Sequence, residues 1–159
     1  MFEVKNVATS KEKLYVVEKL VKNLPNWFGE NTTIEDVVES VGDFENVPFF
    51  VACYEHGAAG FIFLKIHNPT TAEIGMMAVL GTQHGKGIGR KLIEHCEAYC
   101  RDNKIEYLSV KTIDESSDND SYKGTRAFYR ALGFKPLEVL PNFWGEGLPC
   151  LFSIKCITP

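Results

Sequence analysis

The first hydrophobic positions, between Phe2 and Val7, alternate with polar ones, the period of a short strand. After Ser10 the spacing lengthens, and Leu14, Val17, Leu20, Val21 and Leu24 recur at helical intervals. Ser10 is placed to cap that helix, Lys13 denies it a capping box, and Pro25 ends it. Thr32 or Thr33 opens a second helix, with Glu35 and Asp36 in its first turn and Gly42 at its close. From Phe49 the period changes. Three strand-like runs, punctuated by His56-Gly57 and Asn68-Pro69, read as an antiparallel meander. A helix follows with Ile88, Leu92, Cys96 and Tyr99 on one side, then a strand over 107–112 and a polar acidic loop over 114–120. A short helix over 123–132 is stopped by Gly133, and two strands, 134–140 and 150–157, complete the pattern. No linker or long repeat interrupts it. The pattern predicts a single α/β domain over residues 1–159, with a mixed, mostly antiparallel sheet of about seven strands and about four helices.

Composition narrows the function. A chain of 159 residues with 45% apolar and 24% charged positions has the balance of a soluble globular domain. With 17 basic against 21 acidic residues the net charge is −4, which argues against nucleic acid as main partner and favours a cationic acceptor. No apolar run approaches the roughly 18 residues of a membrane span, and the start Met1-Phe2-Glu3-Val4-Lys5 does not read as a signal peptide. The cysteines at 53, 96, 100, 150 and 156 are odd in number and form no CxxC pair, so reduced thiols and a cytoplasmic location are expected. Cys96 and Cys100 share a helix face beside His95, but two ligands without a matching pair make no metal site.

The chemistry starts at the junction "HGKGIGR", residues 84–90. A P-loop fails here, because Leu80 stands where its first glycine should be and Gly87 where Ser or Thr should be. A dinucleotide fingerprint starting at Gly85 fails because Arg90 takes its last glycine position. What remains is G-x-G-x-G between a strand and a helix. Such a turn aims backbone N–H groups at one point, and the helix N-terminus adds unpaired donors and partial positive charge. Together they can seat a pyrophosphate, with Lys86 and Arg90 adding charge nearby.

This segment resembles the Gcn5-related N-acetyltransferases, whose signature is Gln or Arg, two residues, Gly, any residue, then Gly or Ala. His84 stands where Gln or Arg is usual, followed by Gly85, Lys86, Gly87, Ile88 and Gly89. The resemblance implies acetyl-coenzyme A as cosubstrate. It also implies that the main chain of Met77, Ala78 and Val79 pairs with the pantetheine arm, the Met77 N–H polarising the thioester carbonyl. "RAFYRALGF", residues 126–134, resembles the family's later motif, with Tyr129 in the place of the tyrosine near the coenzyme sulfur. An Asn usual seven residues earlier is replaced by Tyr122.

Acetyl transfer to an amine needs a neutral nucleophile, a stabilised oxyanion and a protonated leaving thiolate. Glu73 precedes Met77 by four, the offset of the catalytic glutamate in the histone-acetylating branch, which implies a base acting directly or through water. By the same resemblance Tyr129 is the acid; a phenol of pKa about 10 suits a thiolate of pKa about 8.5. "PNWFGE" (25–30) and "PNFWGE" (141–146) are one hexapeptide with its aromatics exchanged. The resemblance places both loops beside the acceptor pocket, with Trp27, Glu30 and Trp144 facing a cationic amine; a homodimer contact is the other use for them. The expected function is direct N-acetylation of a primary amine on a small molecule or peptide. The rival is a non-catalytic acyl-coenzyme A sensor, which the presence of Glu73 and Tyr129 disfavours.

Overall fold

A computed structural model describes residues 1–24, 33–41, 44–118 and 120–158. Within them lie β1 (Glu3–Asn6), α1 (Ser10–Val21), α2 (Ile34–Val41), β2 (Phe49–Tyr54), β3 (Gly57–Asn68) and β4 (Thr71–Val79). These are followed by α3 (Ile88–Asp102), β5 (Tyr107–Ile113), α4 (Lys123–Ala131), β6 (Lys135–Leu140) and β7 (Cys150–Cys156). The seven strands are hydrogen-bonded in the order β1-β2-β3-β4-β5-β7-β6. β4 and β5 run parallel, while β1–β2, β2–β3, β5–β7 and β6–β7 are antiparallel, the mixed sheet that the sequence predicts.

The contacts divide the chain into two compact units, Met1–Ile66 with Ile74–Tyr99, and His67–Glu73 with Cys100–Pro159. The first is organised around aromatics. Phe49 stacks on Phe61 with ring centroids 5.4 Å apart, and Phe44 meets Phe49 edge-on at 6.0 Å. Val17 and Leu20 of α1 and Val37 of α2 close over these rings. Each fully buried Phe contributes roughly 1.5–3 kcal/mol, so this cluster is the main source of the unit's stability. It also explains Gly75: a Cβ there would lie 2.3 Å from the Phe63 ring, which is itself fixed in the core.

Two helix starts refine the sequence reading. The cap of α1 is Thr9, not Ser10; Thr9 Oγ1 accepts from Glu12 N–H and donates to the Glu12 carboxylate at 2.9 Å. Shifting the cap by one residue restores the Thr-x-x-Glu spacing that Lys13 had seemed to deny. Lys13 instead turns inward and is 1% exposed, its Nζ donating to the carbonyls of Phe44, Glu45 and Val47 at 3.1, 2.7 and 2.8 Å. Thr33 is the cap of α2, exchanging hydrogen bonds with Asp36. The stop signals at Pro25 and Gly42 lie outside the described residues.

In the second unit β7 lies between β5 and β6, so β6 is outermost. The β6–β7 register slips between Pro136 and Glu138, where proline has no N–H to give the ladder. α4 ends as the glycine signal foretells: Gly133, at φ +89°, turns the chain while Phe134 N–H reaches back to the Tyr129 carbonyl. The acidic loop is less solvated than expected at its start, because Asp114 is buried and accepts from Ser116 N–H and Oγ–H at 3.0 and 2.6 Å.

Candidate functional site

The glycine junction lies in the first unit. β4 ends at Val79, a short 3₁₀ turn spans Gly81–Gln83, and α3 begins at Ile88. Gly85 and Gly87 have φ of +77° and +81°, a region that side-chain-bearing residues avoid. A Cβ on either would meet no protein atom within 4 Å, so conformation, and not crowding by the chain, demands glycine. Gly89 lies within the first turn of α3 without positive φ. The first α-helical bond runs from Lys91 N–H to the Gly87 carbonyl. The N–H groups of Ile88, Gly89 and Arg90 therefore precede the helix's own acceptors and point out of its start. Lys86 and Arg90 are exposed; Lys86 Nζ donates to Gln83 Oε1 at 2.9 Å. His84 is not left idle: its Nε2 contacts the Val79 carbonyl at 2.9 Å, tying the turn to the strand end. An open glycine turn at a helix start, with two exposed cations beside it, is a physical match for a diphosphate group.

Glu73 belongs to the second unit, with its neighbours His67 and Lys111. It is 7% exposed, a buried carboxylate and not a solvated one. His67 Nε2 lies 2.5 Å from its Oε2, and Lys111 Nζ donates to the same oxygen at 2.7 Å. Register explains Lys111: Glu73 is opposite Ser109 in the parallel pair, and two residues further along β5 the side chain returns to the same face. His67 arrives across the β3–β4 turn, whose Asn68 side chain accepts from Thr70 N–H at 2.9 Å. Burial pushes the Glu73 carboxyl up, but the hydrogen bonds and charges of Lys111 and His67 outweigh it and hold the group below its ordinary value. Glu73 is thus a fixed anion. Sequence reasoning singled out neither His67 nor Lys111; the only available signal was the hairpin that brings position 67 back beside 73.

Lys111 also faces aromatic rings. Phe152 is its cross-strand partner, with Nζ 5.3 Å from the ring centroid, and the Phe143 ring lies at 5.8 Å. Phe143 comes from the second hexapeptide. There Trp144 packs edge-on against Phe143 at 5.0 Å and remains 43% exposed. Asn142 pins this loop: its side chain accepts from Gly147 N–H at 3.3 Å and its carbonyl from Gly145 N–H at 3.1 Å. Trp27 and Glu30 lie outside the described residues.

Tyr129 is in the same unit on the inner side of α4, 6% exposed, its ring edge-on to Phe134 at 5.3 Å. It borders a small cavity lined also by Thr112, Arg126 and Ser153. Arg126 Nη1 donates to the Ile113 carbonyl at 2.8 Å, fixing the start of α4 to the end of β5. Tyr122 precedes the helix, half-buried, and burial pushes its phenol up. No helix of the described residues is long and apolar enough to cross a membrane.

Residues 45–136 match the acetyltransferase (GNAT) domain. An uncharacterized N-acetyltransferase of Chlorobaculum tepidum is 28% identical over 127 residues, which cover 78% of this chain and 72% of that protein. In fold, the chain is similar to the ribosomal-protein-S18-alanine N-acetyltransferase of Escherichia coli, with a TM-score of 0.78 and 15% identity over 100% of this chain and 96% of that one. It is likewise similar to an aminoglycoside 6'-N-acetyltransferase complexed with coenzyme A, with a TM-score of 0.77 and 20% identity over 99% and 98% of the two chains.

Proposed function

The chain belongs to the GNAT acetyltransferases, and on that premise we propose that it moves the acetyl group of acetyl-coenzyme A directly to a primary amine. The observation that supports the amine reading is the buried Glu73 cluster four residues ahead of Met77, since an ammonium acceptor must lose a proton before it can attack and this cluster offers a station for it. The turn 84–90 takes the coenzyme's diphosphate on the N–H groups of Gly87 through Arg90, with Lys86 and Arg90 as its counter-charges. The main chain of Met77, Ala78 and Val79 takes the pantetheine arm. The amine nitrogen attacks the thioester carbon, the Met77 N–H holds the oxyanion, and the amine proton passes to the Glu73 cluster directly or through water. The C–S bond then breaks, and Tyr129 gives its proton to the thiolate.

The two named relatives in fold are N-acetyltransferases, one of an aminoglycoside and one of the alanine of ribosomal protein S18, which supports a small molecule or a peptide as the acceptor here. Phe143 and Trp144, with Trp27 and Glu30 of the sister hexapeptide, are the proposed walls for a cationic acceptor. The whole domain, residues 1–159, works in the cytoplasm in this reading. A thermal-shift panel followed by an amine screen with a free-thiol readout tests it. Coenzyme A should stabilise the protein and ATP or NAD should not. At least one primary amine should release thiol in step with acetyl-amine product. Coenzyme A binding without turnover on any amine would favour the acyl-coenzyme A sensor instead.

A further inference from the structure

The Glu73 cluster has more parts than a lone carboxylate base needs. Glu73 Oε2 already receives Lys111 Nζ–H at 2.7 Å and faces His67 Nε2 at 2.5 Å. A carboxylate held ionised in this way is a poor proton acceptor, because every contact that stabilises the anion lowers its basicity. The same contacts make it a good anchor. An ionised carboxylate has only lone pairs to offer, so the short contact requires a hydrogen on His67 Nε2. In a neutral imidazole the other nitrogen, Nδ1, then carries the free lone pair. The His67 side chain is 46% exposed and that of Glu73 only 10%. The ring therefore has one end on a buried anion and the other toward solvent, the arrangement in which a carboxylate fixes tautomer and orientation of a histidine base.

We propose that His67 is the general base: its Nδ1 takes the proton of the acceptor ammonium while Nε2–H stays on Glu73, and Lys111 keeps Glu73 ionised. This rests on the amine reading above and assigns the base within it, leaving Glu73 and Lys111 as positioning residues. The acceptor ammonium sheds two protons in all. The first passes to Nδ1 before attack, gives an imidazolium stabilised by the adjacent carboxylate, and leaves to water through the exposed ring; the second leaves the nitrogen after attack and balances the proton that Tyr129 gives to the thiolate. Imidazole is also the side-chain base best matched to neutral pH.

The test uses acceptors of different basicity with the full-length enzyme. For an alkylamine of pKa about 10, His67→Ala should lower kcat/KM by about 10²–10³, within the range of general-base contributions. For an amine already neutral at the assay pH, such as an alkoxyamine of the same size, the loss should be at least about tenfold smaller, since no proton has to leave before attack and only the one shed after it remains. Added imidazole should restore part of the alkylamine rate to His67→Ala, because the half-exposed ring leaves an open space, but not to Glu73→Gln. The KM for acetyl-coenzyme A should not move in either variant. Nitrogen-15 NMR of the wild-type ring above neutral pH should show hydrogen on Nε2 and a bare Nδ1, a readout independent of turnover. His67→Ala as fast as wild type on the alkylamine, equal losses on both acceptors, or an Nδ1–H tautomer would overturn the proposal. A wild-type enzyme that binds coenzyme A yet acetylates no amine would instead overturn the amine reading, leaving the tautomer measurement to decide whether Glu73 anchors the ring.

Discussion

Replacing Gly87 with alanine separates the two reasons a glycine can be required. At φ +81° an alanine pays for left-handed backbone, about 1–2 kcal/mol, and a valine more because it is β-branched. Beyond its chain neighbours, no atom of the described residues lies within 4 Å of the new methyl, so no steric cost adds to this. For a chain of this length, 1 kcal/mol lowers Tm by roughly 2–4 °C, so Gly87→Ala should melt roughly 2–8 °C early and remain folded. Gly147 provides a matched control: it has φ +74° and equally open space, but lies in the loop after β6. Gly147→Ala should show the same loss of Tm. Coenzyme A affinity should separate them. If the diphosphate approaches the Gly87 backbone, the methyl occupies its place and Kd should rise more than tenfold, a loss above about 1.4 kcal/mol. Gly147→Ala should bind coenzyme A within a factor of about two of wild type. Titration calorimetry on both variants, with circular dichroism to verify folding, makes the comparison. A folded Gly87→Ala variant with wild-type affinity would refute the diphosphate seat, and equal weakening in both variants would trace the effect to strain.

The remaining predictions concern three buried groups. Tyr129→Phe keeps the ring's contact with Phe134 and removes only the hydroxyl, so kcat should fall about 10²–10⁴ with little change in KM for acetyl-coenzyme A; steady-state kinetics with chemistry limiting decides it. Lys13→Met keeps the aliphatic stem but removes the donor to three carbonyls, two of them buried, and urea denaturation should show a loss of about 3 kcal/mol or more, with under about 1 kcal/mol counting against the staple. Glu73 has a lowered pKa, so its ionised form stabilises the fold above the ordinary glutamate value of 4.5, and that contribution fades as pH falls through the lower folded value. Denaturation of wild type and Glu73→Gln at pH 7 and at pH 3 should therefore show the wild-type advantage shrinking on acidification; a constant gap would refute it.

The elements were legible because each carries its own period. Continuous apolar runs bounded by turn residues in β2 and β3, and helical spacing in α1 and α3, are properties of neighbouring residues. The order β5-β7-β6 is not, since either last strand could pair with β5 as far as its own sequence goes. The choice is made by contacts distant in the chain, such as Lys111 opposite Phe152. Lys13 misled for a related reason. On a helix surface a lysine reads as solvated, and only the carbonyls of 44–47, some thirty residues away, turn it inward. Thr9 was a different kind of miss, because Glu12 three residues later carried the signal all along.

The site divides along the same line. Backbone-driven binding is legible in sequence, because glycine is the only residue that takes φ of +77° and +81° without strain, and the glycines are there to be read. Side-chain clusters are built by strand pairing, so of the three residues of this one only Glu73 was anticipated. Its partners come from β3 and β5, and they change what Glu73 can do. Alone it would be a base; between Lys111 and His67 it is a held anion. The hexapeptide repeat drew notice to its tryptophans, yet the aromatic that reaches the cluster is Phe143, which lies over Lys111 while Trp144 packs on Phe143 from outside. One cation therefore joins the buried carboxylate to the exposed aromatic loop, and in the proposed reading an acceptor resting on Phe143 and Trp144 would sit one side chain away from that ion pair.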